Sequence, residues 1–383
     1  MMTGRFFLVL CFTAIGVVER PSASAAPPQS DSEKESATPP ELGRIPWKRD
    51  FDAAQDLAME SKRPLLVLFD EVPGCATCQN FGREALSHPI VVDAAKEFVP
   101  VLVRNNVGRG GDRELLERFH EPAWNNPVVR MMRADGTDLV PRETGDWSTE
   151  ALVRRMTAAL QQNGQAVPKW LELVNAEYNP AQPSTVTVAM ACYWEGEQKL
   201  GAIDGVIGSS IGMLKGREVV KLRFDAERVR FEKLLGEAME MQCASRVYVQ
   251  DPTQAEAAAE VVGPDRVVQT DKAVDESVQQ QFHLHRRPEY YFLPLTASQA
   301  TRLNSILANA PRILDESDRQ RVDEWLSPTQ RDLRNQLKDF LPEHGYVRGF
   351  EKRLKQNGIQ LDRSPKGVIE YNRQLEALLA ASE

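Results

Sequence analysis

Residues 72 to 79 read VPGCATCQ, so Cys75 and Cys78 stand two residues apart directly behind the apolar run PLLVLFD. A thiol that opens a helix faces unpaired backbone N–H groups and the positive end of the helix dipole, and both stabilise its thiolate. A thiolate at Cys75 attacks a disulfide. A second thiol on the same turn, Cys78, then attacks the mixed disulfide and releases the product. The spacing makes Cys75 the nucleophile and Cys78 the resolving thiol. Asp70 and Glu71 lie just ahead in sequence and oppose thiolate formation at the pair. A structural disulfide or two buried thiols is the blander reading. Gln79 follows the pair, which excludes the Cys-x-x-Cys-His of haem attachment. A copper carrier built on Cys75 and Cys78 is a third reading. It needs another soft or imidazole ligand, and His88 and His120 are the candidates nearby in sequence.

The rest of the chain bounds these readings. It has 383 residues and five cysteines, 42% hydrophobic and 27% charged residues, and a formal net charge of −8. That is ordinary globular composition for two or three domains, and the negative balance argues against nucleic acid as the main partner. Residues 1–25 carry a short basic start, an apolar run from Phe6 to Val18 and an Ala-x-Ala ending at Ala25. This is the pattern of a cleaved export signal, with an uncleaved anchor as the alternative. It places the mature protein in the periplasm or outside the cell, without a membrane span. Cys11 leaves with the signal, so Cys75, Cys78, Cys192 and Cys243 remain. Four cysteines are too few to staple a chain this long, and one close pair is not a zinc set. No metal or cofactor is expected.

The elements that must hold these thiols can be read from periodicity. Residues 26–45 are rich in Pro, Ser and Glu and read as a flexible linker. Residues 46–165 alternate helices and strands: a helix through Phe51, Ala54 and Ala58, buried strands PLLVLFD and EFVPVLV, a helix DRELLERFH, a hairpin turning at Asp135-Gly136, and a closing helix TEALVRRMTAALQQ. This order predicts an α/β layer sandwich. Residues 183–270 predict an α+β domain, with strands STVTVAMACYW, EVVKLRF and SRVYVQ and a helix AERVRFEKLLGEAMEM. Residues 271–383 predict a mostly helical region with EYYFLPL as a strand and a helix capped by Ser327-Pro328. Ser364-Pro365 is read as a similar start for the terminal helix. His283 and His285 would share a face on a strand, but no acidic or cysteine cluster completes a site there.

Trp47 with the opening helix, PLLVLFDEVPGCATCQNF and Asn126-Pro127 together give residues 46–163 a resemblance to the thioredoxin fold. The resemblance implies a cis proline, Pro127, facing the cysteine pair and shaping a substrate groove. The Val-Pro-Gly lead-in is also similar to a bacterial group of thioredoxin-like selenoproteins, in which selenocysteine can fill the position Cys75 holds here. The residues between the cysteines, Ala-Thr, depart from the usual Gly-Pro.

A second resemblance covers roughly residues 184–262. ACYWEGEQ, the Gly-Val segment after it and GREVVKL are similar to the A-type peptide methionine sulfoxide reductases. It implies Cys192 as nucleophile, Tyr193 and Trp194 as an aromatic cradle for a methyl group, and Glu218 as the acid that protonates the sulfoxide oxygen. Glu197 matches an early glutamate of the family. Three polar pocket positions of that family are replaced, by Ser209, Ala238 and Cys243. The replacement suggests that Cys192 and Cys243 form a redox pair that Cys75 and Cys78 reduce or oxidise. Two small buried hydrophobes is the plain alternative. The expected fold class is thus a thioredoxin-like α/β sandwich, a methionine sulfoxide reductase A-like α+β domain and a C-terminal helical segment. The expected substrates are protein thiols and disulfides or oxidised methionine, with the external electron donor left open. Genuine sulfoxide reduction recycled by the first module, or a scaffold with inert thiols, are the competing readings.

Overall fold

The strand that precedes the cysteine pair is buried at all six positions, and it organises the first third of the protein. The computed structural model describes residues 38–123 and 127–381. The expected export signal and most of the expected linker lie outside them. Helix α1 (Phe51–Ser61) is capped by the Asp50 carboxylate, which accepts from the Ala53 amide. Strand β1 (Leu65–Asp70) follows, then α2 (Ala76–Arg83), α3 (Pro89–Ala94), β2 (Val99–Arg104), α4 (Gly111–Arg118), β3 (Val128–Met132), α5 (Thr149–Gln162) and α6 (Lys169–Tyr178). The sheet order is β2-β1-β3, with β1 parallel to β2 and antiparallel to β3. Side chains alternate across a strand. Leu65, Val67 and Phe69 pack with Phe51, Ala54 and Leu116 on the α1–α4 face. Leu66 and Leu68 pack with Phe81, Leu86, Ile90 and Met156 on the other. The same alternation turns Asp70 toward the face that carries α2.

Two expectations shift here. Residues 38–45 are not linker: they contain a 3-10 turn, Pro40–Leu42, with Glu41 and Ile45 buried. The hairpin at Asp135-Gly136 turns as expected, with Gly136 at φ +85°. Its return strand is reduced to the bridges Met132–Asp138 and Val129–Glu143, and Pro141 between them has no backbone N–H to give to a ladder.

The second third is a split βαβ arrangement. It contains β4 (Pro183–Ala189), α7 (Tyr193–Leu200), β5 (Val206–Leu214), β6 (Arg217–Asp225), α8 (Phe231–Glu240), β7 (Arg246–Val249), α9 (Pro252–Val262), β8 (Val267–Gln269) and the short β9 (Asp275–Glu276). The sheet order is β8-β7-β4-β6-β5-β9. Strands β7, β4, β6 and β5 are antiparallel to their neighbours, and β8 joins β7 in parallel. Strand β5 was not foreseen. Its hairpin partner is β6, and the two-residue turn is Lys215 (φ +49°) and Gly216 (φ +75°), the left-handed pair such hairpins favour. The strand expected to run through Trp194 stops at Ala189, and Cys192 caps the following helix instead.

The last third is helical: α10 (Phe282–His285), α11 (Pro288–Tyr291), α12 (Ala297–Asn309), α13 (Glu316–Asp323), α14 (Pro328–Glu343), α15 (Tyr346–Gln356) and α16 (Gly367–Ala380). The EYYFLPL segment is not a strand. It forms α11 and a turn that buries Tyr290, Phe292, Leu293 and Leu295. A short apolar run does not distinguish a strand from a buried helical turn, and Pro288 at the first helical position favours the turn. His283 and His285 accordingly sit on α10 rather than on a strand. Ser327 caps α14 in a reciprocal capping box with Gln330. Lys366 is the N-cap of α16, while Ser364 accepts from the Gly367 amide just ahead of it.

Residues from Thr38 onward make one compact unit. Carboxylates from the first third anchor the helices of the last. Asp93 on α3 accepts from Ser327, the Thr329 amide and the Thr329 hydroxyl. Glu177 on α6 accepts from the Ala297 and Ser298 amides. Each satisfies helix N–H groups that would otherwise lack partners. Among the described residues no helix is long and apolar enough to cross a membrane.

Candidate functional site

Cys75 is the N-cap of α2, with extended backbone (φ −71°, ψ 175°) and an exposed thiol. Cys78, one turn on, is fully buried. Their Sγ atoms are 3.2 Å apart, and both are free thiols. The environment separates them electrically. The Cys78 amide, the Cys78 thiol and the Thr77 amide and hydroxyl push the Cys75 thiol below its ordinary range. Burial pushes Cys78 up, and its hydrogen bond to Asp70 adds to that. Asp70 is itself fully buried at the end of β1. Burial pushes its carboxyl up to about 7, against its bonds to Cys78 and the Glu71 amide, with the charges of Glu41 and Glu71 raising it further. Asp70 therefore opposes thiolate formation at the pair as its place in the sequence suggested, and the thiol it bears on is the buried Cys78.

The loop between β1 and α2 is held on several sides. Glu41 accepts from the Gly74 amide at 2.7 Å, and Gln79 donates to the Gly74 carbonyl at 3.1 Å. Asn106 donates to the Pro73 carbonyl at 3.3 Å. A Cβ on Gly74 would sit 2.6 Å from the Cys78 Cβ and against the Glu71 carbonyl, so only glycine fits. The Val72–Pro73 bond is cis. Pro127 is buried, and its carbonyl accepts from the Trp147 indole at 2.8 Å. The Asn126–Pro127 bond, expected cis, involves a residue outside the described ones.

A family model described as Thioredoxin-like matches residues 46–134. Those residues form a thioredoxin-like domain. The match covers less than a quarter of the chain, and no curated protein matches the chain. In the thioredoxin-like domain, an exposed thiol at a helix start over a buried partner is compatible with a thiol oxidoreductase.

Metal carriage finds less support. The donor atoms of Glu71, Cys75 and Cys78 lie within 4.8 Å of one another, the sole such group among the described residues. Neither expected imidazole belongs to it. His88 is fully buried, its Nδ1 accepts from the Ile90 amide, and its Nε2 lies 3.4 Å from the Tyr178 hydroxyl. Burial pushes its pKa down to about 4, so it is a neutral structural ring. His120 ends α4's turn at φ +54°, away from the group. His283 and His285 likewise join no metal group. His283 is pushed down by burial, and His285 pairs with Glu351 at 3.7 Å.

Cys192 repeats part of the first arrangement. It is the N-cap of α7, half-buried at the end of β4. Glu218 accepts from the Tyr193 amide at 2.8 Å. Tyr193 and Trp194 lie 5.6 Å apart, and Trp194 stacks on Phe282 at 4.4 Å. The buried acid is Glu197. Its carboxylate accepts from Ser209, the Gln281 amide and Asn304, and burial pushes it up to about 7. Cys243 is 3% exposed within the core beside Ala238, and its thiol donates to the Met241 carbonyl. Burial pushes it above the ordinary range. Cys192 and Cys243 are both free thiols with no hydrogen bond between them.

Five clefts in the described surface, with volumes from about 190 to 680 Å³, have linings without a cysteine. Three residues of the site were not legible as such. The sequence shows Asp70 only as a charge near the pair, Glu41 as linker, and Glu197 only as a family match. The run of apolar residues before Asp70 was the available signal, since alternation along a buried strand sets which face its last residue takes.

Proposed function

We propose that this protein catalyses thiol–disulfide exchange on protein substrates, with Cys75 attacking and Cys78 resolving. The observation that carries the proposal is the pair itself: an exposed, acid-shifted Cys75 thiol 3.2 Å from a buried Cys78 bonded to Asp70. Cys75 thiolate attacks one sulfur of a substrate disulfide, forming a mixed disulfide and expelling the other substrate sulfur as a thiolate. Cys78 gives its proton to Asp70 and attacks Cys75. The Cys75–Cys78 bond forms, the bond to substrate breaks, and the second substrate thiolate takes a proton from water. The pair loses two electrons and the substrate disulfide gains them; the reverse sequence oxidises a dithiol. The exposure of the Cys75 thiol suits a macromolecular disulfide better than a small enclosed ligand. Insulin reduction driven by dithiothreitol tests this. Cys75→Ser should lower protein-dependent turnover by at least about a hundredfold, and Cys78→Ser should accumulate a covalent adduct at Cys75. Full turnover by Cys75→Ser would remove the proposal.

The sequence pattern of residues 1–25 supports export, and we include an extracytoplasmic setting in the proposal. N-terminal sequencing of the protein from a periplasmic fraction checks it: a start near Ala26 is expected, and an intact leader would overturn it.

For the second third we propose a sulfur-handling role coupled to the first. Cys192 at a helix start, the Tyr193–Trp194–Phe282 aromatic group and the Glu197 carboxyl near pKa 7 support it. In sulfoxide reduction, two thiols become a disulfide while the sulfoxide oxygen leaves as water. Turnover of a methionine sulfoxide peptide with dithiothreitol, compared with Cys192→Ser, tests that reading. Peptide mapping for a Cys192–Cys243 linkage tests the redox-pair version.

A further inference from the structure

The protein carries a formal net charge of −8, yet one cleft in its last third is lined largely by cations. The cleft lies between α11, the α12–α13 loop, α13 and α14, and its volume is about 190 Å³. Arg287, Arg312, Arg319, Arg334 and Lys338 line it, and Glu289 is the one carboxylate of the lining. Two of the cations have carboxylate partners outside the lining. Arg319 pairs with Glu316 at 3.3 Å, and Arg334 pairs with Asp323. Arg287, Arg312 and Lys338 form no ion pair among the described residues. Five cations thus stand against three carboxylates, an excess of two positive charges. Like charges gathered in one place oppose the compact state, so packing does not explain why they are collected.

The charged groups are also held in place by the fold. The Arg287 guanidinium donates to the Arg312 carbonyl at 2.6 Å, to the Ala310 carbonyl at 3.2 Å and to the Pro311 carbonyl. These acceptors are neutral, so they fix the position of the charge without cancelling it. Arg334 is 8% exposed, donates to Asn335 at 3.0 Å and lies over the Tyr290 ring at 5.7 Å. Arg334 and Lys338 stand one turn apart on α14, and helical spacing brings both to one face. The Nε of Arg319 is buried and has no hydrogen-bond partner, a donor left open at a cost. We propose that this cleft binds a phosphate-type dianion, as inorganic phosphate or as the head group of a small phosphate monoester. Guanidinium forks match the oxygen geometry of a phosphoryl group. Such a group carries close to two negative charges at neutral pH, and two is the excess that the cleft presents. The volume falls below the roughly 300–1,000 Å³ of sites for drug-sized ligands, which suits a head group better than a larger molecule. Ile313 at the edge of the cleft is 86% exposed, an apolar rest for the carbon part of a monoester. No cysteine lines the cleft, so the site is separate from the thiol chemistry proposed above.

The test is isothermal titration calorimetry on the full chain at neutral pH, with inorganic phosphate in one arm, glycerol 3-phosphate in another and citrate in a third. Saturable binding to one site is expected for a phosphate probe, weakening as chloride is raised. Tighter binding of glycerol 3-phosphate assigns the site to a monoester, and equal or tighter binding of inorganic phosphate assigns it to the free ion. The side chains of Arg312 and Lys338 are exposed and make no hydrogen bond or ion pair, so the double variant Arg312→Gln with Lys338→Gln removes the excess charge and leaves the packing alone. Its affinity for the phosphate probe should fall at least about tenfold. Arg348→Gln with Lys352→Gln removes the same charge from the exposed face of α15, outside the cleft, and should stay within about twofold of wild type. No saturable binding of either phosphate probe up to about 10 mM, an equal loss of affinity in the two double variants, or citrate bound more tightly than both phosphate probes overturns the proposal. The titration reads no thiol turnover, so a protein inert toward disulfides would sink the proposed function and leave the anion site to be judged by itself.

Discussion

Two cysteines of this protein stand at the same kind of place, the turn from a strand into a helix. Cys75 caps α2 and Cys192 caps α7. Around Cys75 the fold adds a second thiol at 3.2 Å, a buried carboxyl on that thiol and a glutamate on the loop amide. Around Cys192 it adds aromatic rings and a glutamate on the Tyr193 amide, while Cys243 packs into the core and bonds to Met241. A helix start is thus a beginning for thiol chemistry, not the whole of it. What separates the two sites is where the second sulfur and the proton acceptor lie.

The sharpest way to break this contrast is alkylation of the reduced protein by iodoacetamide at pH 7, read site by site by mass spectrometry. Cys75 should react at least about a hundredfold faster than Cys243, with Cys192 between them. Equal rates at Cys75 and Cys192 would erase the distinction. A second test removes the acceptor. Asp70→Asn should slow resolution of the mixed disulfide about tenfold at pH 7 and leave the attack by Cys75 nearly untouched. It should also stabilise the reduced protein above pH 7. The Asp70 carboxyl holds its proton in the folded state up to about 7 but loses it near 4 when unfolded. Its contribution is therefore present at acid pH and lost as pH rises through that window. The measurement is urea unfolding at pH 5 and pH 8, and a destabilised Asp70→Asn at pH 8 would contradict it. The smallest expected effect belongs to the second site. Glu197 is likewise raised to about 7 by burial, so wild-type stability should decline between pH 5 and 8. Glu197→Gln should flatten that decline, by about 1 kcal/mol. A profile parallel to wild type would show that Glu197 does not hold its proton.

Much of the first site was legible because its signals are local. Strands β1 and β2 showed as apolar runs, the Cys-x-x-Cys set two thiols one turn apart at a helix start, and Ser327-Pro328 marked a further helix start. Asp70 was visible as a charge opposing thiolate formation at the pair, but which of the two thiols it bears on depends on the face of the strand it occupies. Glu41 was hidden in a polar, proline-rich stretch that looks unable to bury anything. Its burial comes from docking on Gly82 and on the loop at Gly74, contacts made across more than thirty residues of chain. EYYFLPL was misread because aromatic and branched residues suit both a strand and a buried turn; Tyr290 and Phe292 pack among helices. Strand β5 was missed because IGSSIGML alternates weakly and pairs well only once β6 lies beside it.

The order of residues alone determined that a cysteine sulfur would sit where a buried strand gives way to a helix, because strand burial and helix initiation depend on neighbours a few positions away. Only the folded chain decided which acids serve that sulfur's partner, and that Cys243 lies in a core while Cys78 lies under Cys75. Proton affinity depends on burial and on charges brought near from distant segments, and neither exists until the chain has packed.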